Sequence, residues 1–267
     1  MRTSGPKELH NRHKISFSAQ VKDIIRISDI ILEVLDARFP ETSRNMELEK
    51  LIQESGKILI HVLTKSDLVN PEEVKNTVYA EKMSNPVFIS CSKRIGIKKL
   101  RDKIHILSKK MNEHKHVHIG VVGYPNVGKS SLISILARRA AAPVSSHPGF
   151  TKHIRKIRFS KGVYLLDAPG VLNGNENLFI DRDLKKHSLL GVHTPENVRN
   201  PDMIVFEIMK MYPEKLERYY SVDAGGDVEK LLDDLGKRWN LLKRKGETDS
   251  DKAARRILKE WQAGKIK

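Results

Sequence analysis

Six short apolar, β-branched blocks recur along the chain: Ile30–Leu35, Ile58–Leu63, Val87–Ile89, Val117–Val122, Ile154–Phe159 and Val163–Leu166. Runs of this length bounded by polar or turn residues predict buried strands. Between most of them the apolar positions fall three and four apart. That spacing predicts helices over Met46–Glu54, Pro71–Met83, Ile97–Met111 and Lys129–Arg138. Asn70 offers a cap to the second of these, and Pro71 suits its first turn. Strand–helix alternation builds an α/β domain around a mainly parallel sheet. The last two blocks are joined only by Ser160, Lys161 and Gly162, which predicts a hairpin and one antiparallel edge. Further on the strand pattern stops. Helices are predicted over Pro201–Met211, Pro213–Tyr220, Val228–Leu235 and Asp251–Ala263, with Gly225-Gly226 and Lys243–Ser250 as connectors. The expected organisation is an α/β domain over residues 1–178 and a small all-helical domain over 179–267.

The 267 residues suffice for two such domains, and 39% hydrophobic with 31% charged residues is ordinary for a globular chain. Cys91 is the single cysteine, which excludes an intramolecular disulfide and points to a reducing, cytoplasmic setting. The N-terminal residues carry no apolar secretory segment, and no apolar run is long enough to cross a bilayer, so no membrane partner is expected. The formal charge is +16, of which residues 180–267 contribute only +3. Lys93–Lys115 holds nine basic and two acidic residues, and Arg138–Lys161 holds seven basic residues and no acid. Clusters of that kind fit a polyanionic partner, RNA above all. The competing account is a set of solvated charged faces.

Gly123-Tyr-Pro-Asn-Val-Gly128-Lys129-Ser130 satisfies the spacing of a phosphate-binding loop, between a predicted strand and a predicted helix. The glycines let the backbone wrap closely, so N–H groups from Asn126, Val127, Gly128, Lys129, Ser130 and Ser131 can face phosphate oxygens. Lys129 would neutralise the terminal phosphates, and Ser130 would ligate Mg²⁺. Asp167-Ala-Pro-Gly170 ends the last predicted strand. There Asp167 can reach Mg²⁺ through water, and the Gly170 N–H can contact a γ-phosphate. Thr151, between the two motifs, is the natural second hydroxyl ligand for Mg²⁺. The base is read from Thr64-Lys65-Ser66-Asp67. Asp67 can accept hydrogen bonds from guanine N1–H and the 2-amino group, which adenine lacks, and the Lys65 stem can cover the ring. Ser90-Cys91-Ser92-Lys93 resembles the loop that contacts guanine O6. Together these residues predict a site for GTP and GDP.

Their order is unusual, because the guanine motifs precede the phosphate motifs. The six predicted strands make a complete sheet if an ordinary GTPase chain is cut after its D-x-x-G strand. The basic helix Ile97–Met111 would then join the former ends. With Asp36-Ala-Arg38-Phe-Pro40, Ser43-Arg44-Asn45 and the C-terminal run Ala254 to Ile266 including Trp261 and Gly264, the chain resembles the circularly permuted GTPases of the YlqF/RbgA type. That resemblance covers roughly residues 13–212 well and the tail more loosely. It implies a GTPase of large ribosomal subunit assembly that binds rRNA on the precursor particle. It also implies a catalytic role for an N-terminal histidine at the position of His13, with His10 and His147 as lesser candidates, alongside Lys129 and Gly170. Asn126 matches the asparagine that coordinates K⁺ in potassium-activated relatives. Val171 follows Gly170 where many GTPases carry a water-orienting glutamine, and an apolar side chain cannot do that work. Thr64 stands where asparagine is usual, which predicts weaker nucleotide affinity with guanine selectivity intact. Three alternatives stay open: a GTP-dependent RNA-binding scaffold with negligible turnover, a GTPase acting on another RNA such as tRNA, and an ATPase. The oligomeric state is not legible.

Overall fold

The six predicted strands register into one sheet. The computed structural model describes residues 19–75, 83, 86–111, 116–137, 154–167, 195–198, 200–244 and 246–266. The strands are β1 (Ile30–Asp36), β2 (Ile58–Thr64), β3 (Val87–Phe88), β4 (Val117–Val122), β5 (Arg155–Ser160) and β6 (Val163–Asp167), in the order β3-β2-β1-β4-β6-β5. All pairings are parallel except the β5–β6 hairpin, where Arg155 lies opposite Asp167. Every residue of β1 is buried, as expected of a central parallel strand covered on both faces.

The helices follow from the same pattern. Helix α1 (Ala19–Ile27), which the strand-led reading does not predict, buries Val21, Ile24 and Ile25 and packs on β4, where the bare Gly120 makes room for Ile24. After β1 come the single turn α2 (Pro40–Ser43) and α3 (Met46–Glu54), capped by Asn45, whose side chain accepts from the Leu48 N–H at 3.0 Å. Helix α4 (Pro71–Lys75) begins the predicted 71–83 helix. Asn70 accepts from the Glu72 N–H at 3.1 Å, residues 76–82 lie outside the described set, and Met83 is buried but not helical. Helices α5 (Ile97–Met111) and α6 (Lys129–Ala137) stand where predicted, with Arg138 outside the described residues.

The region from Pro195 onward is helical: α7 (Pro201–Met211), α8 (Lys215–Tyr220), α9 (Val228–Arg238) and α10 (Ser250–Gln262). The helix expected from Pro213 starts two residues later, because Glu214 adopts φ 60° and turns the chain first. The expected connector over Lys243–Ser250 is more ordered than its polarity suggested. Leu242 and Thr248 form an antiparallel bridge, the Thr248 hydroxyl donates to Asp233 at 2.6 Å, and Asp249 caps α10. Ala253, Ala254, Ile257, Leu258 and Trp261 bury one face of α10 against α7 and α9. The expected boundary at 178/179 falls outside the described residues. Among the described residues no helix is long and apolar enough to cross a membrane.

Candidate guanine nucleotide site

Because β1, β2, β3, β4 and β6 run parallel, their C-terminal ends share one edge of the sheet. Loops far apart in sequence therefore converge there, at the point where the chain leaves the central strand β4. The phosphate loop follows β4. Gly123 takes φ 142°, and a Cβ there would lie 2.4 Å from the Val34 carbonyl oxygen, so the loop starts directly against β1. Asn126 is exposed in the left-handed region at φ 59°, and Gly128 follows at φ 105°. Val127 is fully buried, which anchors the loop from beneath. Ser130 and Ser131 are exposed at the start of α6.

Lys129 is buried, and its ammonium donates to the Tyr124 carbonyl oxygen across the loop. Burial pulls its pKa down to about 7, against the pull of Asp167. Asp167, at the end of β6, is 2% exposed, and burial lifts its carboxyl to about 6 in spite of Arg155 and Lys129. Its Oδ1 is buried with no hydrogen-bond partner among the described residues. A carboxylate oxygen left unsatisfied beside the phosphate loop suits a Mg²⁺-bound water, so the residues present fit that ion. Thr151, Gly170, Val171, His10, His13 and His147 lie outside the described residues.

The base loop follows β2. Lys65 adopts φ 56° and opens the 3₁₀ turn Ser66–Leu68 that carries Asp67. The Ser66 N–H donates to the Ile89 carbonyl at 3.1 Å, which ties this loop to the one after β3. There the Ser92 hydroxyl donates to Asp67 Oδ2 at 3.2 Å, and the Ser90 and Ser92 hydroxyls lie 3.0 Å apart. Burial works to raise the Asp67 carboxyl, but the Ser90 and Ser92 hydroxyls and Lys93 hold it below its ordinary value, so it is ionised and able to accept. The Cys91 thiol is pushed up by burial and by Asp67, so it is a neutral neighbour. Thr64 links the two halves of the site: its hydroxyl reaches the Leu35 carbonyl at 3.0 Å and the Val127 carbonyl of the phosphate loop. The position where an asparagine amide was expected thus keeps a latch made of one hydroxyl.

Two constellations escaped the motif reading. Asp36 receives the Arg38 guanidinium at 3.0 and 2.8 Å and the Lys65 ammonium at 2.7 Å. Its pKa is lowered, because these two cations outweigh the opposing effect of burial. Behind the sheet, Arg44 grips Glu49 with two nitrogens at 2.6 and 2.5 Å, and His61 Nε2 lies 3.3 Å from Glu33 and 3.4 Å from Glu49. The Asn45 N–H donates to Glu33 at 3.3 Å, and the Ser43 hydroxyl accepts from the Asp36 N–H at 3.0 Å. Both signatures, D-A-R-x-P and S-R-N, are therefore structural partners of β1. A Glu and a His inside apolar strands were the signal that could have exposed the second cluster.

The parallel sheet with a phosphate loop at its central strand, an aspartate-bearing base loop two strands away and the reversed motif order define a circularly permuted P-loop GTPase fold followed by helices. Residues 118–230 match the family described as "50S ribosome-binding GTPase". The chain is 38% identical over 256 residues to an uncharacterised GTP-binding protein of Methanocaldococcus jannaschii, covering 95% of this chain and 66% of that one. It is 34% identical to nucleolar GTP-binding protein 2 of Neurospora crassa, covering 91% of this chain and 40% of the relative. It therefore spans about two thirds of the archaeal protein and well under half of the fungal one. The crystal structure of GNP-bound YlqF from T. maritima shares the fold at a TM-score of 0.61 and 24% identity, over 92% of this chain and 93% of that one. This chain belongs to the circularly permuted GTPases of the YlqF type.

Proposed function

We propose that the chain binds GTP and GDP with Mg²⁺ and hydrolyses GTP to GDP and phosphate during assembly of the large ribosomal subunit, through rRNA or the precursor particle. The observation that carries the nucleotide reading is the Thr64–Val127 latch, which holds an ionised Asp67 and the phosphate loop on one sheet edge. Asp67 selects guanine through N1–H and the 2-amino group. Lys65 covers the ring, and Thr64, Ser66, Ser90, Cys91 and Ser92 shape the rim. Backbone N–H groups from Asn126 to Ser131 cradle the phosphates, and Lys129 exchanges the Tyr124 carbonyl for a charged phosphate oxygen. Ser130, Thr151 and, through water, Asp167 would hold Mg²⁺, which supplies charge neutralisation at the β- and γ-oxygens. Gly170 senses the γ-phosphate, His13 supplies the water-orienting group that Val171 cannot, and Asn126 holds K⁺. The chain divides at about residue 178 into this domain and a helical one.

The ribosomal reading is supported by the match to the 50S ribosome-binding GTPase family, by similarity to a nucleolar GTP-binding protein and by the basic runs at 93–115 and 138–161. A cytoplasmic location was expected from Cys91, whereas several eukaryotic relatives carry nuclear or nucleolar names. Val171 favours one second reading, a GTP-dependent RNA scaffold with negligible turnover. The test is GTP hydrolysis in KCl and in NaCl with Mg²⁺, with and without purified large subunits. Stimulation by the subunit supports the assembly GTPase. Guanine nucleotide binding without turnover in any condition supports the scaffold.

A further inference from the structure

The C-terminal helix ends on the base-reading loop. Arg38, whose guanidinium holds Asp36, also donates from Nη1 to the Trp261 carbonyl oxygen at 2.8 Å. Asp36 in turn holds the ammonium of Lys65. The Tyr212 hydroxyl donates to the Arg38 carbonyl at 3.3 Å, and the Phe39 ring stacks on Trp261 at 5.5 Å between centroids and meets Tyr212 edge-on at 5.9 Å. A second contact closes from the other side. Gly264, at φ 71°, comes so near Leu68 that an added Cβ would lie 2.5 Å from its Cδ1. The helical region therefore touches the loop 64–68 at two points, through Lys65 by way of Arg38 and Asp36, and at Leu68. These points flank Asp67.

We infer that Arg38 and Trp261 are positioning residues for guanine recognition, and that docking of the C-terminal helix onto this loop is coupled to occupancy of the base site. The inference rests on the guanine nucleotide reading given above. Ordinary packing between two parts of a chain would bury apolar faces anywhere on the sheet. Here the contact lands within the few residues that hold the guanine-reading carboxylate. The link is also costly to break halfway. Asp36 is fully buried, so a guanidinium drawn away with α10 leaves its charge on Lys65 alone. A cavity of about 110 Å³ lined by Arg38, Phe39, Leu68, Tyr212, Trp261 and Ile266 leaves room for the helix end to shift without unfolding. If base binding orders the loop and the loop orders α10, each must strengthen the other by the same factor. The helical region is then informed of nucleotide at the base end of the site.

The chain has two tryptophans, so Trp239→Phe leaves Trp261 as the sole emitter. In that protein GDP should change the Trp261 emission, and ADP should not. Affinities for GDP and for inosine diphosphate, which lacks the 2-amino group, are then measured in Trp261→Leu and Arg38→Gln, neither of which alters a phosphate-loop residue. Each variant should bind GDP about five- to tenfold more weakly and lose part of its preference for GDP over inosine diphosphate. A purely structural role would lower thermal stability and leave that preference intact, which overturns the inference. If the variants do not fold, the emission of the Trp239→Phe protein decides: no response to bound GDP overturns the coupling. Failure of the unaltered chain to bind GDP is a different result, and it removes the nucleotide reading itself.

Discussion

The Thr64 hydroxyl rests on the Val127 carbonyl, so the base loop and the phosphate loop are latched by one side chain although 63 residues separate them. The same oxygen lies 3.0 Å from the Leu35 carbonyl, and its single proton serves one acceptor at a time. Thr64→Val removes the donor and leaves the Val127 carbonyl buried against a methyl group. Stability should fall by about 1–2 kcal/mol and GDP affinity by about fivefold. Thr64→Ser should restore most of both. Urea unfolding and fluorescent-GDP titration on the three proteins check this.

Asp167 predicts an unusual pH dependence. Its folded pKa, about 6, lies above the ordinary carboxyl value of 3.8. The folded state thus holds the proton more tightly, and this contribution to stability is present below pH 3.8 and lost as pH rises through about 6. Asp167→Asn has no such group. The stability of the original protein should therefore fall relative to the variant between those values, on the order of 2 kcal/mol. Lys129, lowered to about 7, acts in the opposite sense and adds stability as pH rises from there towards 10.5. Nucleotide-free urea unfolding from pH 4 to 10 separates the two. The same Asp167→Asn protein should lose GTP hydrolysis, since a site carboxylate held against its own burial serves function rather than stability.

The cluster behind the sheet makes a stability prediction without a functional one. Arg44 is 6% exposed and Glu49 12% at the side chain. Burial keeps the Glu33 carboxyl raised, whereas His61 and Arg44 overcome burial at Glu49 and hold it down at about 2. Arg44→Ala removes the bidentate partner of Glu49, leaves its charge to His61 alone and should cost about 3 kcal/mol. Replacing both Arg44 and Glu49 by Met should recover most of that loss, as seen by denaturant midpoints.

Coupling of RNA to hydrolysis can be probed on β5, the edge strand that follows Thr151 in sequence. Arg155 is a poor probe, because it lies opposite Asp167 and acts on that carboxyl directly, so reversing its charge should lower basal hydrolysis too. Lys156, whose ammonium sits 4.1 Å from the Tyr164 ring centroid, and the exposed Arg158 are better placed. Lys156→Glu with Arg158→Glu should reduce subunit-stimulated turnover about tenfold or more and leave basal turnover within about twofold. Equal losses in both would separate RNA docking from the switch.

Much of this was legible because local patterns carry it. The six strands were placed to within a residue at every end, and the motif spacings singled out Asp67, Lys129 and Asp167 as candidates, which the structure places at or just past strand ends on one edge of the sheet. Helix α1 was missed because it precedes the strand pattern that organised the reading. Thr64 was read as a weakened asparagine, since no sequence rule brings its hydroxyl to Val127. The D-A-R-x-P and S-R-N runs were visible as signatures, yet their partners, Lys65, Trp261, Glu49 and Glu33, come from four different elements.

The sequence by itself determined the fold class, the permuted order of the motifs and the chemistry each loop can perform. Hydrophobic period and glycine spacing are local properties, and each motif contains its own reason. Only the tertiary structure decided which loops meet. Parallel pairing brings the ends of β1, β2, β3, β4 and β6 to one edge, and there buried carbonyls and carboxylates must find partners from whatever chain arrives. That requirement, rather than any nearby sequence, placed Thr64 on Val127 and Arg38 between Asp36 and Trp261.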